Sequence, residues 1–274
     1  MNSLEAAMRI LRLADRTSPV LRVGEVSREL GLQKSTVSRL LRTLCEHELV
    51  EREHDGQGYV AGRRSLVLAD LYLAAHTLLD RVEDAIDALV AEFGFVGYIG
   101  ALSGPDIVIL RVKHGSYPLR LVQEVGKRMP ATSTALGLAL RARKSKAEVG
   151  ELRPAAGAGP EPVRLAERLG EIRRDGTASI SSAVIPGIAA IGAALGDANG
   201  TEALGFALSY PVSATDPKLQ DRMTIRVREE GMRIGRRIGD PHWATFDRGA
   251  DIVEMRASGS AEPGKAARRR KTGG

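Results

Sequence analysis

Residues 30–53 read LGLQKSTVSRLLRTLCEHELVERE, and the apolar spacing in this stretch predicts a helix that follows a sharp turn. Residues 23–30, just before it, have apolar residues three and four apart, the spacing of a short helix with one buried face. Gly31 can adopt the left-handed conformation that ends a helix and redirects the chain. The second helix would bury the apolar residues Val37, Leu40, Leu41 and Leu44. Two helices joined in this way form a helix-turn-helix.

The remaining face of the second predicted helix carries residue types that contact nucleic acid. Lys and Arg neutralise phosphates or donate to guanine, and short hydroxyls near a helix N-terminus can donate to the backbone or to base edges without blocking close approach. The candidate DNA-binding residues are Lys34, Ser35, Thr36, Ser38, Arg39 and Arg42. The alternative is an ordinary helical hairpin whose basic face is only solvated.

The residues that follow favour DNA binding over that alternative, because they predict a wing. Residues 49–53 and 59–61 have strand-like patterns, and the DGQG sequence of residues 55–58 is typical of a tight turn between strands. A helix with one apolar stripe is predicted over residues 4–15. Together these elements predict a winged helix-turn-helix domain over residues 1–63.

Length and composition limit the other possibilities. A chain of 274 residues with 43% hydrophobic residues can form two folded domains. No stretch approaches the roughly 18 to 20 apolar residues that span a bilayer, so we expect no membrane association and a cytoplasmic location. The single cysteine, Cys45, cannot form an internal disulfide, and we interpret it as structural rather than as a sensor. The five histidines are scattered, so we expect no metal and no cofactor.

The net charge of +6 is unevenly placed. Residues 1–63 hold ten Lys and Arg against nine Asp and Glu, whereas residues 257–274 hold five against one. The prediction of DNA binding therefore depends on the local pattern of residues 34–42 and not on bulk charge. We expect residues 240–274 to be a C-terminal extension that is disordered from about residue 257.

Beyond the wing, residues 64–77 are too continuously apolar for an exposed linker and predict a linker helix whose apolar face packs against a second copy of the chain. Residues 78–239 mix helix and strand patterns, which predicts an α+β domain with one sheet covered by helices on one face. The predicted helices are residues 78–93, 135–143, 163–174 and 218–238, and the predicted strands are residues 96–102, 107–112, 118–125, 188–195 and 203–209.

This order of parts resembles the IclR family of bacterial transcriptional regulators over about residues 4–238. The most specific pieces are KSTVSRLLRTL, the GKRMPATSTALGLALRA segment of residues 126–142 and the PGIAAIGAALGDANGTEALGFALSYP segment of residues 186–211. The resemblance implies an N-terminal winged helix-turn-helix, a linker helix and a GAF-like α+β effector-binding domain. It also implies a homodimer or homotetramer on a pseudo-palindromic operator in double-stranded DNA, which represses or activates a catabolic operon in response to a small-molecule effector.

The resemblance further implies an effector pocket lined by Leu121, Met129, Ala135, Leu136, Ser181, Ile188, Ala190, Ala207 and Ser209. The residues themselves add Ser133 and Thr134, since hydroxyls and free amides meet there at a predicted helix N-terminus, where a carboxylate binds well. The alternative for these two residues is that they only cap the helix.

This chain departs from the family pattern inside the expected pocket. Acidic residues are common in the family between Gly176 and Gly187, where this chain has Ile180, Ser181 and Ser182, and a serine common at position 207 is replaced by alanine. The departures predict a less polar pocket, which favours a larger, more apolar effector such as an aromatic acid. The alternative is a domain that no longer binds any effector tightly.

We do not expect an enzyme, and we predict no catalytic residues. A small-molecule hydrolase or transferase that uses the α+β domain is the main alternative, but no Ser-His-acid or Cys-His pattern supports it. A winged helix that contacts only proteins is a further alternative.

Overall fold

The computed structural model describes residues 2–14, 18–118, 123–144, 162–181 and 185–246. The N-terminal part consists of helices α1 (Ser3–Leu11), α2 (Val23–Leu30) and α3 (Lys34–Glu46), followed by strands β1 (Val50–Arg52) and β2 (Tyr59–Ala61). Gly31 ends α2 with a φ of 65°, as the sequence predicts. Helix α1 is shorter than predicted and ends at Leu11 rather than residue 15.

The wing is an antiparallel pair in which Val50 faces Ala61. Leu21 forms a bridge to Tyr59 on the outer side of β2, with main-chain hydrogen bonds of 2.7 and 3.1 Å. The bridge joins the wing to the chain that leads into α2. The apolar faces of the three helices and the wing share one small core, which includes Ile10, Val26, Val37, Leu41, Val50 and Tyr59.

Helices α4 (Arg64–Ala75) and α5 (Thr77–Phe93) connect the wing to a six-stranded sheet. The strands are β3 (Val96–Ser103), β4 (Asp106–Lys113), β5 (Arg128–Pro130), β6 (Ala178–Ser181), β7 (Ile188–Gly196) and β8 (Ala203–Pro211). Their spatial order is β5-β4-β3-β8-β7-β6, and every neighbouring pair is antiparallel. The other helices are α6 (Ala135–Ala142), α7 (Pro162–Asp175), α8 (Pro217–Ile238) and α9 (Pro241–Ala244), with short 3₁₀ turns at Ala131–Ser133 and Val212–Ala214.

Helices cover both faces of this sheet, so the predicted covering of one face is wrong. Helices α5 and α8 pack on the side of Ile99 and Phe206, and α6 and α7 pack on the side of Tyr98 and Ala207. The physical reason lies in the sequence of β7, IAAIGAALG, which is apolar at both alternating sets of positions. Such a strand is suited to burial on both faces.

Two edge strands differ from the sequence expectation. A strand was expected over residues 118–125, of which residues 119–122 lie outside the described residues. The strand that pairs with β4 is instead Arg128–Pro130. Strand β6 was not predicted; it pairs with β7 at the opposite edge. Both edge strands have only three or four residues, too few for an alternating pattern to stand out.

Candidate DNA interface and effector pocket

Helix α3 separates an apolar face from a polar one. Val37 and Leu41 are fully buried in the small core, whereas Ser35, Ser38 and Arg39 are exposed on the opposite face. The remaining predicted DNA-binding residues are placed on the same helix, with Lys34 and Arg42 exposed and Thr36 half-buried. All six predicted side chains therefore belong to one helix that the wing and α2 leave open on one side.

Arg42 on this face is lightly held. Arg42 Nε lies 3.9 Å from Glu46 Oε1 across one helical turn, and both side chains are mostly exposed. An exposed pair at that distance contributes little free energy. The guanidinium of Arg42 can therefore exchange this carboxylate for a phosphate or a base edge at small cost.

A cavity opens in the second domain beside the start of α6. Its volume is about 70 Å³, measured as the space open to the centre of a water-sized sphere, which is room for several water molecules or one small ligand. Helix α6 packs so closely on the sheet that a Cβ added at Gly205 would lie 2.8 Å from Leu136 Cγ. The cavity occupies the space between the N-terminus of α6 and the side of the sheet that carries Tyr98 and Ala207.

Most of the residues predicted for the effector pocket line this cavity. They are Met129, Ser133, Thr134, Ala135, Leu136, Ile188, Ala190, Ala207 and Ser209. Leu121 lies outside the described residues. Ser181 is exposed on β6, and its neighbour Ile180 lines the cavity instead. Successive residues of a strand face opposite sides, so the prediction of Ser181 was one position out of phase.

Thr134 has a structural role that the sequence left open. Its Oγ1 accepts a hydrogen bond from the Gly137 amide at 3.0 Å, so the residue is the N-cap of α6. Ser133 Oγ donates to the Pro130 carbonyl at 3.1 Å. The capping bond uses Thr134 Oγ1 as an acceptor, and its hydroxyl proton remains able to donate. The cap interpretation is therefore right for Thr134, and it does not exclude contact with a ligand.

Several lining residues were not predicted from the sequence: Tyr98, Ile107, Ile109, Gln123, Ile180, Ile185 and Ala189. Ile107 and Ile109 are two apart on β4, so the alternation of that strand could have placed them on one face. Tyr98 faces Ala207 across β3 and β8 and could have been found from that pairing. Gln123 carries no such signal, since it lies in an irregular segment.

The cavity is apolar and contains few polar groups. Its described lining includes no Asp, Glu, Lys or Arg. Burial raises the pKa of the Tyr98 phenol, which therefore stays protonated at neutral pH. Elsewhere in the described ranges, no cluster of three His, Cys, Asp or Glu could hold a metal ion. No helix among these residues has the length and apolar character needed to cross a bilayer.

Comparison with known proteins identifies both halves. Residues 3–54 match the model of the IclR helix-turn-helix domain, and residues 70–236 match that of the bacterial transcriptional regulator IclR C-terminal domain. The HTH-type transcriptional regulator XynR of Escherichia coli K12 is 23% identical over 250 residues, which are 88% of this chain and 98% of that protein. The glycerol operon regulatory protein of Streptomyces coelicolor is 32% identical over 142 residues, 52% of this chain and 56% of that protein.

Solved structures share the fold over nearly their whole length. An IclR transcriptional regulator from Silicibacter sp. TM1040 superimposes with a TM-score of 0.76 at 21% identity, covering 88% of this chain and 99% of that one. An IclR homologue from Microbacterium hydrocarbonoxydans, solved in complex with 4-hydroxybenzoate, gives a TM-score of 0.74 at 17% identity, covering 86% and 99%. The helix-turn-helix family model matches the N-terminal part of this chain, and the C-terminal family model matches more than half of its length. The chain therefore belongs to the IclR family of bacterial transcriptional regulators.

Proposed function

We propose that this regulator binds a pseudo-palindromic operator as a homodimer or homotetramer and controls a catabolic operon in response to a small organic acid. The observation that carries the proposal is the exposed face of α3, where Ser35, Ser38 and Arg39 stand opposite a fully buried apolar face. A recognition helix needs this division, because one side must anchor it while the other enters the major groove. Binding to chromosomal DNA would place the protein in the cytoplasm.

The proposed oligomer is supported by helix α4. Leu66 and Leu71 have 74% and 60% of their surface exposed in the single chain. A helix so apolar and so open favours contact with a second copy, and two-fold contacts are the commonest kind. Two recognition helices related by such an axis would read the two halves of a palindrome.

We propose that the effector is an organic acid, and an aromatic ring as its apolar part suits the cavity. Met129, Leu136 and Ile188 offer an apolar enclosure, and the first amides of α6 face the cavity from a helix N-terminus, which favours a carboxylate. The Microbacterium homologue binds 4-hydroxybenzoate within a similar fold. We therefore propose effector contacts for the predicted lining residues, with Ile180 in place of Ser181.

The test is operator binding by a double variant of α3. An operator would first be selected from a pool of random DNA with the full chain, and the affinity of Arg39→Ala combined with Arg42→Ala would then be measured at several salt concentrations. Each lost base contact should cost about 1 to 3 kcal/mol and relax the preference at one base pair. A lost phosphate contact should instead reduce affinity on all sequences and make the salt dependence shallower.

Arg164→Ala combined with Arg174→Ala is the charge-matched control, since both arginines are exposed on α7 in the other domain. We expect it to bind the selected operator like the wild type. Unchanged operator affinity in the double variant would remove α3 from the DNA interface and with it the proposed operator recognition.

A further inference from the structure

The cavity contains a buried phenol that has no partner. Tyr98 is only 4% exposed, and its hydroxyl has no hydrogen-bond partner within the described structure. Buried polar side-chain atoms are satisfied in the large majority of cases, and an unsatisfied one is destabilising. The isolated hydroxyl of Tyr98 therefore needs an explanation, and its place in the lining of a cavity points to a ligand.

A second buried polar atom in the same cavity also lacks a hydrogen-bond partner. Gln123 Oε1 is buried without a hydrogen-bond partner, and Gln123 also lines the cavity. These two atoms differ in chemistry. A phenol can donate one hydrogen bond and accept others, whereas a carbonyl oxygen can only accept. Whatever satisfies both atoms must therefore offer a donor to Gln123 and either a donor or an acceptor to Tyr98.

Neighbouring side chains leave room in front of Tyr98. Tyr98 on β3 is paired with Ala207 on β8, and Val96 is paired with Ser209 two residues away on the same face. Ala207 has only a methyl group, so the phenol has a small neighbour on that strand. Across the cavity, Leu136 and Met129 are apolar and cannot bind the hydroxyl. A ligand atom that enters this side of the cavity can therefore bond the hydroxyl.

A hydroxyl group meets these requirements and a carboxylate does not. At neutral pH a carboxylate has no proton to donate to Gln123 Oε1, and the described lining offers it no cationic side chain at this end. A buried anion without a partner is strongly disfavoured. A hydroxyl is neutral, donates one hydrogen bond and accepts others. The carboxylate of an effector would lie instead at the N-terminus of α6, where the Thr134 hydroxyl and the first helical amides are located.

We infer that Tyr98, together with Gln123, selects effectors that carry a hydroxyl group on an apolar ring, so that a hydroxylated aromatic acid binds far more tightly than its counterpart without the hydroxyl. This inference rests on the proposed role of the cavity as the effector site. Tyr98 is then a specificity residue, which adds little affinity for an acid that lacks the hydroxyl.

Calorimetry on the full chain without DNA tests this selection. The probes are benzoate and its three monohydroxy isomers, which share the carboxylate and ring and differ in the hydroxyl. We expect at least one isomer to bind the wild type about tenfold or more tightly than benzoate, because a site built to hydrogen-bond a hydroxyl is left unsatisfied without it. Tyr98→Phe should reduce that preference to less than about threefold, because the variant has no buried hydroxyl for the ligand to satisfy.

Tyr210→Phe is the matched control. Tyr210 is equally buried, at 3% exposed, but it packs on the opposite face of the same sheet. Its variant loses the same atom and should keep the full preference of the wild type, and circular dichroism would show that both variants fold. Equal binding of benzoate and all three isomers, a preference that survives Tyr98→Phe, or no binding of any probe at millimolar concentration would each overturn the inference.

The outcome is separable from that of the proposed function. Calorimetry reports ligand choice with no DNA present, whereas the proposed function fails when the full chain selects no DNA sequence or when its operator affinity ignores every bound acid. A chain that prefers a hydroxybenzoate but binds no operator would keep Tyr98 as a specificity residue and reject the regulatory proposal.

Discussion

Single residues decide how the end of the second domain is held. Trp243 is fully buried, and its indole Nε1 donates to the Ala194 carbonyl at 2.9 Å. The ring fits into a slot made by glycines: a Cβ added at Gly235 would lie 2.4 Å from the ring, and one at Gly231 would lie 2.6 Å away. Beside it, Asp240 is fully buried and binds Arg143 Nη2 at 2.6 Å. Residues beyond the predicted domain end at 239 thus contribute to the core.

The slot gives a prediction at this scale. Gly235→Ala should destabilise the fold by about 1 to 3 kcal/mol, because the new methyl group would displace Trp243 from a closely packed site. Gly170→Ala on α7 is the matched control: nothing lies within 4 Å of its Cβ position, so the same change should stabilise the helix by about 0.5 to 1 kcal/mol. Chemical denaturation of the two variants checks both signs. Equal free energies of unfolding in the two variants would mean that the slot does not limit the size of the side chain at position 235.

What the sequence could predict becomes clear at the scale of elements. Helix α3 was predicted from a local signal, the spacing of Val37 and Leu41. Strand β8 was predicted from another, an apolar run that starts after a glycine-rich turn. Strand β6 was missed, because four residues at a sheet edge depend on pairing with β7 rather than on their own pattern. The same limit applies to the cavity: Tyr98 lies well before the family segment of residues 126–142, and only the folded sheet brings it to α6.

Helix α4 provides a prediction about assembly. Leu71→Asp should weaken oligomer formation, since it would bury an unpaired carboxylate in the proposed contact, and DNA binding should weaken with it. Ile225→Asp is the matched control, because Ile225 is also an exposed aliphatic residue on a helix, at 45% exposure, but stands among the charged residues of α8. Light scattering at micromolar concentration measures the mass of each. A wild-type monomer that binds one half-site tightly would contradict the proposed dimer.

For the molecule as a whole, the junction between α4 and α5 connects the DNA-binding half to the effector half. His76 at this junction donates from Nδ1 to the Tyr72 carbonyl at 2.8 Å, and its ring stacks on the Tyr72 ring with 4.0 Å between centroids. On its other side, His76 Nε2 lies 3.9 Å from Glu202 Oε1. Glu202 stands at the turn of the β7–β8 hairpin, whose opposite end carries Ile188 and Ser209 of the cavity. One hairpin thus extends from the cavity to the linker helix.

This connection predicts a variant that separates coupling from binding. Effector and operator should each change the affinity for the other by the same factor, about 5- to 150-fold for a coupling of 1 to 3 kcal/mol. His76→Ala should leave both separate affinities nearly unchanged and reduce that factor, because it removes the contacts of the junction with Tyr72 and Glu202 without touching either site. Operator affinity would be measured with and without the tightest-binding monohydroxybenzoate, and His114→Ala, an exposed histidine of the effector half, is the control. A coupling factor in His76→Ala equal to that of the wild type would show that the signal reaches α4 by another route.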